Sequence, residues 1–433
     1  MASTGARTQA PPALSPAFPL HSALSERGRL ELGGCDAIEL AREFGTPAYV
    51  VVEDDLRDRA RAFTAAFREA GHDDFLVAFG VKAFPATAVL RLFAEEGLGA
   101  DVASSGELHL ALRAGHDPAK IVFHGNARSD EEFRHALEAR VGMIVLDGND
   151  DIDRLERLSA AAAGPPQPVL LRITPGVSGD GHASIQTGQS DSKFGFGPDA
   201  AQAAIERLRG IETLELAGLH VHIGSQIVNL DLFRDAIAAL SEFEPFPLYD
   251  LGGGLAVAYT DADPQPPTIA DYVAALTAEV SARLPAARRL IVEPGRSLVA
   301  NGVVTLYEVQ SVKQNVSRWV AVNGGMSDNL RPMLYGSRYE AHIADRIGSG
   351  GGERSHVAGK HCESGDVIVR DAPLDDPRVG DILVTPATGA YCYAMANNYN
   401  GVPRPPVIFC KDGDARVVVR RETLDDLHAR DVV

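Results

Sequence analysis

The sequence predicts an α/β chain with a β extension: a closed (β/α)8 barrel followed by a mainly antiparallel β domain. Three observations predict it. At 433 residues, 45% of them apolar, the chain can build two cores. From Phe75 to Pro294, about eight short apolar runs alternate with amphipathic stretches. Past Pro294 the alternation stops, and strand-like runs follow one another without long helices between them.

In chain order, residues 1–24 are rich in Ala, Pro, Ser and Thr and read as a disordered leader. They lack the basic start and continuous apolar stretch of a secretory signal. Residues 25–47 read as a strand and helix segment joining the β domain, to which Arg29–Leu32 would add a strand. The barrel is assigned to 48–300. Its strand candidates are 75–82, 99–102, 121–124, 142–147, 168–173, 216–223, 247–251 and 290–293. Continuous apolar runs suit strands covered on both faces of a parallel sheet. Helix-like segments, among them 86–96, 105–114, 129–139 and 230–243, fall between them. Eight such units favour closure over an open sheet. The C-terminal domain, 301–433, carries strand candidates at 302–309, 318–322, 366–369, 381–385, 407–410 and 415–420. The tract 348–352 reads as a flexible loop.

Bulk charge narrows the function. Lys and Arg total 41 against 59 Asp and Glu, a net charge of −18. Such a surface repels phosphate backbones and anionic headgroups, so neither nucleic acid nor membrane is an expected partner. No run approaches the length of a membrane-spanning helix. The cysteines, Cys35, Cys362, Cys392 and Cys410, fit neither a disulfide framework nor a zinc ribbon. A cytoplasmic location with reduced thiols is expected.

The unusual polar residues fall where barrel chemistry is done. The C-terminal ends of barrel strands line the active site. There stand Lys82, Asp101, His124, Arg172, His222, the run Gly252-Gly253-Gly254, and Glu293. A polar residue in nearly every unit is hard to explain by packing alone. Lys82 ends an apolar strand; alone it reads as a snorkelling side chain, but within this set it reads as an amine whose desolvation makes a Schiff-base nucleophile. The three glycines let backbone amides approach an anion, without forming a dinucleotide fingerprint. Glu293-Pro-Gly-Arg296 sets a carboxylate near a guanidinium able to grip a phosphate or carboxylate. His220 and His222 share a strand face; zinc would need a third ligand that the spacing does not offer, so no metal is assigned. Cys362 stands beside acids in a loop of the β domain, an unusual place for an inert packing thiol.

Taken in order, these segments resemble the fold-type III pyridoxal-phosphate (PLP) decarboxylases, whose fold is alanine-racemase-like, and within them the diaminopimelate decarboxylase family of the actinobacterial kind. The carriers are Val81-Lys-Ala83, Ser105-Gly-Glu-Leu108, His124-Gly-Asn126, Asp191-Ser-Lys-Phe-Gly195, His220-Val-His-Ile-Gly-Ser-Gln226, Asp250-Leu-Gly-Gly-Gly254 and Glu293-Pro-Gly-Arg296. In the β domain they are Gly324-Gly-Met-Ser-Asp-Asn329, Arg331, Tyr335-Gly336, Gly359-Lys-His-Cys-Glu-Ser-Gly-Asp366, Gly389-Ala-Tyr391 and Asn397-Asn-Tyr-Asn400. The match runs from about Leu30 onward. Phe79-Gly80 and His124-Gly-Asn-Ala-Arg128 depart from the commoner pattern.

The resemblance implies PLP as cofactor and decarboxylation of meso-2,6-diaminopimelate to L-lysine and CO2, the last step of lysine biosynthesis. It implies that Lys82 holds the cofactor, His222 stacks on its ring, and Glu293 faces the ring nitrogen. Ser225, Gly252, Gly253, Gly254, Gly295 and Arg296 would hold the phosphate, with Tyr391 also on the cofactor. Arg296, Arg331, Tyr335, Glu363 and Tyr391 would bind substrate, and Cys362 would protonate the α-carbon. Cys362, Glu363 and Tyr391 resemble residues that a second subunit contributes, which implies a homodimer with shared active sites. Three further readings stay open on the residues alone: a paralogous decarboxylase acting on another or a carrier-bound amino acid, a PLP-binding protein that catalyses nothing, and a metal-dependent barrel hydrolase, which predicts activity lost to chelators.

Overall fold

The computed structural model describes residues 14–162, 164–176, 192–348 and 352–432. It divides into two units. One consists of the chain from Leu56 to Val257 and from Pro264 to Ala300. The other takes the chain up to Asp55, the short stretch Ala258–Asp263, and everything from Asn301 onward.

The first unit is a closed parallel barrel. Its strands are Phe75–Gly80, Gly99–Val102, Ile121–Phe123, Met143–Leu146, Gln167–Ile173, Leu214–Val221, Leu248–Asp250 and Arg289–Val292. The last pairs with the first, Leu290 opposite Phe75, and closes the ring. These runs are apolar on both faces because side chains fill the interior while helices cover the outside. Polar side chains set where several helices begin. The Ser104 hydroxyl accepts the Glu107 N–H, and Ser129 forms a reciprocal cap with Glu132.

The second unit is built on a nine-stranded, mainly antiparallel sheet. Its main path runs Val367–Leu374, Glu353–Ala358, Arg318–Val322, Val303–Gln314, Ala48–Val52, Val407–Lys411, Asp414–Val419. Ile382–Thr385 pairs beside Val303–Gln314 and carries His342–Ile343 on its other edge.

Three expectations change. The strand Ala48–Val52 belongs to this sheet, paired with Val303–Leu306 and Val407–Cys410, and not to a barrel beginning at 48. All five of its side chains are buried, so its local pattern matches a barrel strand. The expected leader is ordered from residue 14. Ala17 and Phe18 are buried, Asn301 Nδ2 donates to the Pro16 carbonyl, and Ser22–Leu24 forms a strand. Residues 1–13 lie outside the described residues. Leu30–Leu32 pairs with Ser22–Leu24 and Cys35–Asp36 in a separate three-stranded sheet, and does not extend the large one. The expected loop at 348–352 lies largely outside the described residues. Among the described residues, no helix is long and apolar enough to cross a membrane.

Candidate active site

Period-two alternation along the barrel strands builds the site. Val122, Val145, Leu170, Leu248 and Ile291 fill the interior together with Leu76 and Ala78. Two residues further along the same inward faces come His124, Asp147, Arg172, Asp250 and Glu293. The barrel thus changes from hydrocarbon to charge within one pleat at its C-terminal end.

Glu293 is the centre of this cluster. Its Oε1 hydrogen-bonds His124 Nε2, and its Oε2 lies 3.4 Å from His220 Nε2. Burial alone would raise the Glu293 carboxyl, but the imidazoles of His124 and His220 outweigh it and hold the group ionised. Burial also pushes His220 down to about 4, so it stays neutral at neutral pH. Arg172 Nη1 sits 3.5 Å from Asp147 Oδ1 and stacks on Phe194.

His220 and His222 face different partners. His222 Nδ1 accepts the Gly253 N–H at 3.1 Å. Burial, then the nearby cations of Lys82 and Arg172, depress His222 well below the usual imidazole range. A neutral, flat ring results. The glycine turn beside it tolerates no side chain. A Cβ on Gly253 would lie 2.2 Å from the Glu293 carbonyl, and one on Gly252, at φ +66°, 2.5 Å from the Val221 carbonyl. Beyond the turn, Arg296 Nη2 donates to Ser225 Oγ at 2.9 Å, and Gly295 packs against Ala83.

Lys82 stands on the short 3-10 turn Val81–Ala83 that follows the first barrel strand. Its side chain keeps 52% exposure, and Nζ lies 3.6 Å from the buried Asp101 Oδ2. A neighbouring carboxylate is its counterpart.

The second unit has a polar cluster of its own. Arg331 is buried with its guanidinium over Tyr259, Tyr339 and Tyr391, and Nη1 donates to the Tyr339 hydroxyl. Tyr335 ends the short helix Arg331–Tyr335. Cys362 and Glu363 are exposed on a loop organised by Asp366, whose carboxylate accepts from His361 N, His361 Nδ1 and Met326 N. Asn400 Oδ1 accepts the Cys362 N–H at 2.9 Å.

Residues 53–300 match the family described as pyridoxal-dependent decarboxylase, pyridoxal binding domain. The diaminopimelate decarboxylase of Bacillus subtilis (strain 168) is 44% identical over 93% of this chain and 95% of its own. That of Actinosynnema pretiosum subsp. auranticum is 46% identical over 96% and 95%. The chain belongs to the diaminopimelate decarboxylase family. Among solved structures, the M. jannaschii diaminopimelate decarboxylase in co-complex with L-lysine superposes with a TM-score of 0.88 at 33% identity, covering 95% of this chain and 98% of that one.

As a diaminopimelate decarboxylase family member, the chain is a PLP-dependent carboxy-lyase of fold type III. The barrel unit gathers Lys82, His222, Ser225, Gly252, Gly253, Gly254, Glu293, Gly295 and Arg296 at one end of the strands. The other unit holds Arg331, Tyr335, Cys362, Glu363 and Tyr391. Asp250, quoted above only within its glycine motif, carried no role in the sequence, although it interrupts an apolar run just as Lys82 does. Reading the sequence alone passed over Tyr259 and Tyr339, whose places around Arg331 no local pattern signals.

Proposed function

We propose that this chain decarboxylates meso-2,6-diaminopimelate to L-lysine and CO2. The observation that carries the reading is the charged end of the barrel: an ionised Glu293, a neutral His222, a side-chain-free glycine turn and an Arg296–Ser225 pair, beside Lys82. These fit PLP end to end. The glycine turn and Arg296 with Ser225 suit a phosphate, and Gly295 leaves room beside them. His222 offers a flat neutral face for a ring. Glu293 is a carboxylate able to keep a pyridine nitrogen protonated, and Lys82 is the amine to hold the aldehyde. When bound, the cofactor supplies an electron sink for the pair left by the departing CO2.

The chain's own residues do the rest. Arg331 and Arg296, with Tyr335 and Tyr391, grip substrate carboxylates. Glu363 takes the distal ammonium. The bond from the α-carbon to its carboxylate breaks, CO2 leaves, and the Cys362 thiol gives the α-carbon its proton and regains one from solvent. The relatives' shared name and the lysine-bound neighbour support this substrate. Cys362, Glu363 and Tyr391 act in a partner subunit's site, which makes the active form a homodimer.

The test is CO2 release by PLP-loaded protein offered meso-diaminopimelate, LL-diaminopimelate, ornithine, arginine and glutamate separately. Release from the meso isomer alone, with L-lysine appearing, is expected. Silence on that isomer alongside turnover of another amino acid would move the function to a paralogous decarboxylase.

A further inference from the structure

The strand Leu248–Asp250 ends on a carboxylic acid that is fully buried. One oxygen of Asp250 is accounted for: Oδ1 accepts the Gly252 N–H at 2.9 Å. The other, Oδ2, is buried with no hydrogen-bond partner among the described residues. Buried polar atoms are seldom left so, and the surroundings supply the reason. One polar atom from each of His124, His220, Asp250 and Glu293 lies within 4.8 Å of the other three. Two buried carboxylates that close repel each other strongly when both are ionised, which favours one proton held between them. Glu293 is the one kept ionised, because His124 and His220 face its two oxygens. The neighbouring cations are set against other acids: Lys82 Nζ lies 3.6 Å from Asp101 and Arg172 Nη1 3.5 Å from Asp147.

We propose that Asp250 is a protonated acid whose Oδ2 hydroxyl donates to Glu293, joining the glycine turn to the ring-nitrogen carboxylate through one side chain. A single run then leads from Gly252 N–H to Asp250 Oδ1 and from Asp250 Oδ2–H to Glu293. Burial, followed by the charge of Glu293, pushes the Asp250 carboxyl well above the usual range, in the direction this arrangement requires. Asp250 is a positioning residue. It aims a Glu293 oxygen and holds the Gly252–Gly254 turn in register with it. The protonation stands on geometry alone; its consequence for the cofactor rests on the family reading of Glu293.

Asparagine at 250 can reproduce both bonds, its amide N–H donating to Glu293 and its carbonyl accepting from Gly252. Leucine fills similar space and makes neither. Infrared spectra of the holoenzyme at neutral pH provide the test. A protonated-carboxyl C=O band that moves on deuteration is expected in wild type and in Asp328→Asn, whose own buried acid is thereby removed, and is lost in Asp250→Asn. The same band should move in wild-type protein made with isotope-labelled aspartate, which needs no variant to fold. PLP affinity should stay within about threefold in Asp250→Asn and fall about tenfold or more in Asp250→Leu, the loss of one buried bond to a charged group. A protonated-acid band that is missing from Asp328→Asn, that survives in Asp250→Asn, or that aspartate labelling leaves untouched overturns the proposal. Turnover of meso-diaminopimelate by protein lacking that band would remove this inference and leave the family reading intact.

Discussion

Single residues in this fold are governed by what burial does to charge. Asp328 shows it away from the barrel. It is 1% exposed; the Tyr307 hydroxyl donates to its Oδ1 and the Gly325 N–H to its Oδ2 at 2.8 Å. Burial pushes its carboxyl up to about 7, above the ordinary 3.8. Between those values the folded chain binds more protons than the unfolded one, so stability falls as pH rises. The contribution is complete below the unfolded value and lost as pH passes the folded one. Asp328→Asn should remove that slope. In denaturant unfolding at a series of pH values, the difference between wild type and variant should shrink by up to about 1.4 kcal/mol per pH unit in this window. Parallel curves would mean Asp328 is ionised throughout. His220 has the opposite sign: with its folded value near 4, its contribution is present above the ordinary 6.5 and lost as pH falls toward 4.

Elements are constrained by how closely their backbones approach. The turn Gly252–Gly254 lies against the Val221, Glu293 and Gly224 carbonyls, so its glycines are a packing requirement. Gly253→Ala should cost about 1–3 kcal/mol, since backbone has to move to admit a methyl group. Gly295→Ala, whose new Cβ would meet the Ala83 methyl at 3.2 Å, should cost less. Thermal unfolding and PLP titration of the two variants check the order, and equal losses would show that the turn relaxes freely. The departure at Arg128 also has an element-scale account. Its guanidinium is buried, bonded to the Phe123 and Val145 carbonyls and to Asp151, and lies over Phe133. It therefore ties two barrel strand ends to the helix Asn149–Ala161, and its fork of donors suits three acceptors at once.

At the scale of the whole molecule, chemistry-bearing residues are divided between two units, and the proposed homodimer shares its sites. Lys82 sits in the barrel unit and Cys362 in the other. Lys82→Ala and Cys362→Ala chains, each inactive alone, should regain about a quarter of wild-type activity when mixed and allowed to exchange, because half the dimers then carry one intact site. Absence of rescue with subunit exchange verified would place both residues in one chain's site. The two-unit division also bears on what local pattern reveals. The barrel strands were found to within a residue or two because each is a continuous apolar run between helices, a signal held within one short segment. Ala48–Val52 has the same signal and belongs elsewhere, because its partners lie more than two hundred residues away.

From its sequence alone the chain determined the alternation that makes a barrel, the switch to a β domain, and the set of polar residues at the strand ends. These are local properties: hydrophobic period, glycine placement and charged residues breaking apolar runs. Tertiary structure alone decided which of those polar groups meet. It set Glu293 between His124 and His220, brought Asp250 within 4.8 Å of that cluster, placed Lys82 beside Asp101, and set Arg331 over Tyr259 and Tyr339. It also ordered the chain from residue 14, where composition reads as disorder but Ala17 and Phe18 find a core to fill. The physical reason is common to all of these. A side chain's period is written in its neighbours along the chain, whereas its protonation state and partners depend on burial and on charges brought close only by folding.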